Sequence, residues 1–406
     1  MPRPRVLVIA PSAPHAAIPH AGGVYLRLLC AELERQGHLR VLVPGTRTNR
    51  EAARKPGVPA GLLLVGLEPG RGRLRGALNR LALNADTLLR TVDPGLPYLP
   101  LVVGLLSSPE AREAVRSADV IDLQWSDSIR LVRLLRRLNP TARISGTFHD
   151  VVSQGLSRRP AATRRERLLR SARVRWSRRC EAAMVRALDD VVVFSTKDAA
   201  LLGYPPHRVV RPPLASGEDV AHTPGPPGRG VVLLVSWLAR PENERAATWL
   251  LERIWPGVRE RVPDATLRLV GAQAGPALRA LVESTPGATL AGWVDDLDAE
   301  YAVATVCVVP LREGAGVKFK TIEGLLHGVP VVTTSVGAEG VEGEDLFAAV
   351  RDDAPGLVDA VVSVLADPAA HQPAADRAQE WARATYGREA FVRAVSTGLR
   401  VDAAPD

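Results

Sequence analysis

Short apolar runs alternate with longer stretches whose apolar positions recur at three and four along most of this chain. "RVLVIA" (5–10) is continuous enough for a buried strand, and "GVYLRLLCAELERQG" (23–37) has the period of an amphipathic helix that stops at Gly37. "LRVLVP" (39–44) is the next strand, and "DVIDLQ" (119–124), "ARISGTF" (142–148) and "DVVVFS" (190–195) follow, each leading into a helical pattern. Strands that are apolar throughout are buried on both faces, the condition of a parallel sheet covered by helices. The expected class is α/β.

The alternation breaks at "RPPLASGEDVAHTPGPPGRG" (211–230), which is rich in Pro and Gly and has no period. It then restarts with "VVLLVS" (231–236), a helix over 243–262, "TLRLVG" (266–271), "ATLAG" (288–292), "ATVCVVP" (304–310), a helix over about 318–327 and "VPVVTT" (329–334). The expectation is two doubly wound, Rossmann-like domains: residues 1–213, a linker at 214–230, and residues 231–371. Amphipathic helices at 372–406 follow, either staying on the second domain or crossing back to the first. Two such domains would face each other across a cleft, with ligands at the carboxyl ends of the strands.

Length and charge narrow the picture further. A chain of 406 residues that is 46% hydrophobic can bury a core in each of two or three domains. Lys+Arg is 52 against Asp+Glu 44, a net charge of +8, which favours anionic partners. Aromatics are 4% and are not interleaved with the basic residues, so nucleic-acid binding ranks last. Cys30, Cys180 and Cys307 are odd in number and far apart, which fits a reducing compartment better than disulfides or zinc. The apolar run at the N-terminus, Val6 to Ala10, is short for a signal peptide, and no run reaches a membrane span. A cytoplasmic protein is expected, with peripheral contact to the inner face of a membrane as the alternative.

The candidate chemistry lies after the strands. In "REGAGVKFKTIEGLLHG" (312–328), Glu313, Gly314, Ala315 and Gly316 form a turn, Lys318 and Lys320 open a helix, and Glu323 lies one turn on. Glycines admit a ligand close to backbone N–H groups, a helix N-terminus attracts anions, and a carboxylate can accept from a diol. On local chemistry alone, a phosphate cradle and an ordinary tight turn with a Lys–Glu surface pair fit equally well.

"PLREGAGVKFKTIEGLLHGVPVVTTSVGAEGV" (310–341) closely resembles the nucleotide-sugar site of glycosyltransferase family 4, retaining enzymes of the two-domain GT-B fold. "WLARPENERAATWLLERIWPGVRERVPDATLRLVGA" (237–272) is similar to the opening of that family's donor domain. "PHAGGVYLRLLCAELERQGHLRVLV", "GTFHD" and "VVFSTKDAALLG" resemble its acceptor domain. The resemblance implies that Glu323 binds the ribose hydroxyls, that Glu313 contacts the donor sugar, and that Lys318, the amides around Gly314 and Gly316, and Arg240 meet the diphosphate. It places Gly22 and Gly23 in a glycine loop before a helix, and His149 beside the donor sugar. Asp150 reads as a helix cap. Glu313 and Glu323 stand further apart than the family's Glu-x7-Glu, and Gly324 replaces the usual Ala.

The resemblance therefore implies a retaining transfer of a hexose-type sugar from a nucleoside-diphosphate sugar to a sugar, small-molecule or lipid-linked acceptor. A front-face mechanism with no cofactor and no essential metal is expected. Asp296-Leu297-Asp298 imitates a metal-binding motif of another fold but reads as helix capping. The rival reading is a non-catalytic nucleotide-sugar sensor or scaffold. Finally, residues 158–179 hold ten arginines and a single acidic residue, Glu166. Leu169, Ala172, Trp176, Cys180 and Ala183 recur at three and four, an apolar stripe expected to pack on the first domain's core. The arginines would then face solvent or adsorb to anionic lipid.

Overall fold

The computed structural model describes residues 3–16, 18, 21–66, 81, 84–86, 88–89, 96–159, 161–203, 208–212, 222, 225–343 and 345–399. Contacts divide the chain into two units, Met1–Pro212 with Phe391–Asp406, and Pro213–Ala390.

The first unit is a parallel sheet of β1 (Arg5–Ile9), β2 (His38–Pro44), β3 (Leu62–Val65), β4 (Val120–Gln124), β5 (Arg143–Thr147), β6 (Asp190–Val193) and β7 (Arg208–Val209). Their order is β3-β2-β1-β4-β5-β6-β7. β1 lies between β2, in register Arg5 to His38, and β4, in register Val6 to Val120. Val6, Leu7, Val8 and Ile9 are at most 2% exposed, so both faces of β1 are covered, as its unbroken apolar run predicts. Burying each such side chain stabilises the sheet by about 1.5–3 kcal/mol. The helix Ala21–Gln36 covers one face with Tyr25, Leu26, Leu29 and Leu33. It stops at Gly37, where a Cβ would lie 2.6 Å from the Pro4 carbonyl oxygen.

The second unit is a parallel sheet of β8 (Val231–Val235), β9 (Thr266–Val270), β10 (Ala288–Gly292), β11 (Val306–Val309), β12 (Val331–Thr333) and β13 (Ala349–Val350), in the order β10-β9-β8-β11-β12-β13. The helix Pro368–Tyr386 packs Ala378, Ala382 and Tyr386 into the cluster that holds Ile322 and Leu325, so it belongs to this unit. The following helix, Arg388–Leu399, passes into the first unit from Phe391. The expected linker lies largely outside the described residues. Its described part is bound to the second unit: His222 Nε2 lies 2.7 Å from the Ala304 carbonyl, and Gly228 N–H donates to the Leu365 carbonyl.

In both sheets the strand order reverses beside the first strand of the unit, between β1 and β4 and between β8 and β11. An open α/β sheet leaves a crevice at that point, beyond the carboxyl ends of the two strands. Among the described residues, no helix is long and apolar enough to cross a membrane.

Candidate active site

In the second unit, the loops after β8 and β11 meet at the switch point. Gly314 (φ 117°) and Gly316 (φ 69°) both take backbone conformations that a side chain would strain, which curls the turn toward the helix Phe319–Leu326. Lys318, the residue that caps this helix, is only 7% exposed. Its ammonium donates to the carbonyls of Ala315 (3.2 Å) and Gly316 (2.5 Å), so the lysine is folded into the turn.

Lys320 reaches the other way. Its Nζ donates to Ser236 Oγ (2.6 Å), just past β8, and to Asn243 Oδ1 (2.7 Å), in the helix Pro241–Trp249. Asn243 is itself fixed by donating to the Trp237 carbonyl. Burial, then the charges of Lys318 and Arg240, bring the Lys320 pKa down to about 7. A neutral amine keeps two N–H donors, so both hydrogen bonds survive deprotonation. Lys320 is thus a half-buried, hydrogen-bonded amine and not half of a surface pair.

Arg240 caps the helix Pro241–Trp249, more than half exposed, with Glu242 3.7 Å away and its guanidinium 5.8 Å from the Trp237 ring centre. Glu313 is held by Arg245, which donates to both carboxylate oxygens (2.8 and 2.7 Å). A carboxylate offers about four acceptor positions, so the pair leaves Glu313 able to accept further bonds. Glu323 is half-buried on the helix. Burial pushes its carboxyl up, against the pull of His327 and Lys320. Gly324 is required by packing, since a Cβ there would lie 2.9 Å from Val331. Asp296 caps the helix Leu297–Ala302 by accepting from Ala299 N–H, and Asp298 pairs with His327 at 2.9 Å.

The first unit gathers a different group at its own switch point. Gly22 and Gly23 are not in a loop ahead of the helix. They lie in the first turn of the helix Ala21–Gln36, because backbone hydrogen bonding begins earlier than the apolar period at Val24. Gly22 is small for a reason: a Cβ there would sit 2.8 Å from both His149 Nδ1 and Trp125 Cζ2. His149 stacks on Trp125 at 3.7 Å between ring centres and 9° between planes, with Tyr25 and Phe194 edge-on. Trp125 holds this position with φ 63°, uncommon for a bulky residue and a store of backbone strain.

His149 Nε2 lies 2.8 Å from Gln124 Oε1. Gln124 Nε2 donates to Asp122 Oδ2 (2.5 Å) and Thr147 Oγ1 (3.0 Å), and Ser145 Oγ donates to Asp122 Oδ1 (2.8 Å). Asp122 therefore orients the Gln124 amide, whose oxygen then keeps the His149 proton on Nε2. Asp150 does not cap the next helix, Val152–Arg158; Val151 occupies that position, with no side-chain cap.

Residues 229–367 match the family model described as Glycosyl transferases group 1. The matched stretch is 139 of the 406 residues. It spans all six strands of the second sheet and includes every residue of the Glu313–Glu323 turn. An uncharacterized 44.6 kDa protein in the cps region of Klebsiella pneumoniae is 30% identical over 128 residues, which are 29% of this chain. The chain spans 33% of the length of that curated relative.

Solved structures match over the whole chain. Anabaena Alr3699/HepE, solved with UDP, has a TM-score of 0.63 at 14% identity, covering 97% of this chain and 99% of that one. A glycosyltransferase from Rickettsia africae matches at TM-score 0.58 and 12% identity, covering 98% and 99%. WaaG, a glycosyltransferase involved in lipopolysaccharide biosynthesis, matches at 0.58 and 14%, covering 98% and 100%. The fold is GT-B, two Rossmann-like α/β units in one chain.

Around the Glu313–Glu323 turn, the structure adds Ser236, Asn243 and Arg245 to the residues expected there, and gives Lys320 a larger place. In the first unit it adds Asp122, Gln124 and Trp125. A polar pair inside the otherwise apolar run "DVIDLQ" is the signal that marked Asp122 and Gln124, since a buried strand carries such residues only with partners.

Proposed function

We propose that this chain is a retaining glycosyltransferase that moves a hexose-type sugar from a nucleoside-diphosphate sugar to a sugar, small-molecule or lipid-linked acceptor. The observation that carries the reading is the buried Lys318 and the half-buried Lys320, with Arg240 beside them, at the mouth of a positive-φ glycine turn on the switch point of the second sheet. Cations are buried at a cost unless an anion or hydrogen bonds compensate. The pKa of Lys320, brought down to about 7, marks a place where an anion would be welcome.

Glu323 is assigned to the ribose hydroxyls, and Glu313, oriented by Arg245, to hydroxyls of the sugar. As the bond from the anomeric carbon to the diphosphate breaks, positive charge grows on the sugar and negative charge on the leaving group. Lys318, Lys320, Arg240 and the amides around Gly314 and Gly316 would meet that negative charge, a preorganised electrostatic contribution. The leaving phosphate is the base for the acceptor hydroxyl in the front-face mechanism, which needs neither a protein nucleophile nor a metal. The first unit's contribution is assigned to His149, with Gly22 and Gly23 giving close backbone approach; it acts on transfer more than on nucleotide binding.

UDP is the first nucleotide to test, because the Anabaena neighbour was solved with UDP-glucose. The experiment is calorimetric titration with UDP-, GDP- and ADP-sugars, followed by proton NMR of the product's anomeric centre. Micromolar binding of one donor and a product of unchanged configuration are expected. Binding of none of them would remove the donor-site assignment, and an inverted product would remove the front-face mechanism.

A further inference from the structure

The helix Arg164–Val185 carries a surface outside the residues assigned to the donor. Its start is fixed by a capping box: Glu166 N–H donates to Thr163 Oγ1 (3.1 Å), and Thr163 N–H donates to Glu166 Oε2 (3.1 Å). Its second half docks by Val174, Ser177, Glu181 and Met184, spaced three and four and all at most 9% exposed. Glu181 is fixed there by accepting from Ser153 N–H at 2.9 Å. This line, and not Leu169–Ala172–Trp176, is the face that packs on the unit, which corrects the expectation from the apolar period.

The consequence lies on the opposite side. Leu168, Leu169 and Trp176 are 64%, 55% and 44% exposed. Leu169, Ala172 and Trp176 share one line of the helix, and Arg164, Arg165, Arg167, Arg175, Arg178 and Arg179 are exposed around it. A solvated face has no need of two adjacent leucines and a tryptophan, and exposed apolar groups clustered this way mark a contact surface. A soluble polyanion would use the arginines but not the leucines. An anionic bilayer uses both: guanidinium groups pair with lipid phosphates, while leucine and tryptophan enter the boundary between headgroups and acyl chains.

We propose that this face seats in the headgroup layer of an anionic bilayer, with Leu168, Leu169 and Trp176 inserted and the surrounding arginines on lipid phosphates. The helix does not cross the membrane; its buried line keeps it on the protein. A lipid-linked acceptor would then be met at the surface where it resides.

The test uses the full chain and vesicles of phosphatidylglycerol in phosphatidylcholine, against phosphatidylcholine alone. The protein should sediment with the anionic vesicles only, and less as salt rises. Leu168→Ser with Leu169→Ser should lower partitioning about tenfold or more, with helix content unchanged by circular dichroism. Acyl-brominated lipids should quench part of the tryptophan fluorescence, and Trp176→Phe should remove that quenching. Sedimentation with neither vesicle, or equally with both, overturns the proposal. So does binding that the leucine pair leaves unchanged, which would indicate a surface for soluble polyanions. Neither donor nor acceptor enters the assay, so its failure leaves the transferase reading standing, and donor titration of the same preparation tests that reading separately.

Discussion

The turn at Glu313–Glu323 and the ring stack around His149 occupy equivalent places in two similar sheets, each beyond the carboxyl ends of the strands where the order reverses. They are built in opposite ways. The turn concentrates charge: a buried and a half-buried lysine, an arginine and two carboxylates, most of them from a dozen consecutive residues. The stack concentrates apolar surface and one oriented imidazole, from residues 22, 25, 124, 125, 149 and 194. A site for a diphosphate must supply charge where charge accumulates, and a glycine turn does this locally. A site that orients a neutral ring needs walls, and walls come from several elements at once.

If that contrast is right, substitutions in the turn act through charge and those in the stack act through position. Lys320→Met keeps the shape and removes the cation, and should lower the transfer rate by about 100-fold or more. The same variant tests the titration. A bound diphosphate favours the ammonium, so wild-type donor affinity should be highest below the Lys320 pKa of about 7 and fall as pH rises through it. Lys320→Met should flatten that dependence; wild-type affinity equal at pH 6 and pH 9 would place the diphosphate elsewhere.

Glu323→Gln removes a charged acceptor for the ribose. Loss of one such charge-assisted bond, about 1.5–3 kcal/mol, corresponds to roughly 10- to 150-fold weaker donor binding. Calorimetry should find this with the melting temperature maintained, because the charged form of Glu323 is already disfavoured by burial. Unchanged affinity for every nucleotide sugar would remove the ribose assignment.

His149→Ala should leave donor dissociation constants unaltered and lower turnover by up to about tenfold, the size of one neutral hydrogen bond. A variant that loses donor affinity and turnover equally would erase the contrast between the two regions. The smallest expected effect on chemistry is that of Gly22→Ala. Its methyl must displace His149 and Trp125, so chemical denaturation should show about 1–3 kcal/mol of lost stability. Turnover should fall only a few-fold, and a variant as stable as wild type would mean that the stack yields easily.

Much of the second unit was legible because its information is local. The strands 231–236, 266–271 and 288–292 were readable from apolar runs, and the Glu313–Glu323 turn from glycines beside charges. The edge strands β3, β7 and β13 were not read: β7 and β13 are two residues each, too short to show a period, while the apolar run Leu62–Val65 of β3 was readable and was passed over. Lys320 read as a helix-surface residue because its partners, Ser236 and Asn243, are about eighty residues away. The stripe on the helix Arg164–Val185 misled for a related reason. Periodicity shows that one face is apolar, but not which face the rest of the unit covers. Here Ser177 and Glu181 are buried in that helix and Trp176 is exposed.

The α/β class, the two units, the positions of the central strands and the glycine turn with its charges can all be read along the chain. Each follows from residues adjacent in the chain or repeating at a helix or strand period. It took the packed fold to bring Lys320 against Ser236 and Asn243, to set Arg245 on Glu313, to make Gly22 leave room for His149 on Trp125, and to turn leucines and a tryptophan of the arginine-rich helix outward. Burial, and with it the pKa, partner and exposure of a side chain, is set by what distant segments bring against it, and no local pattern records that.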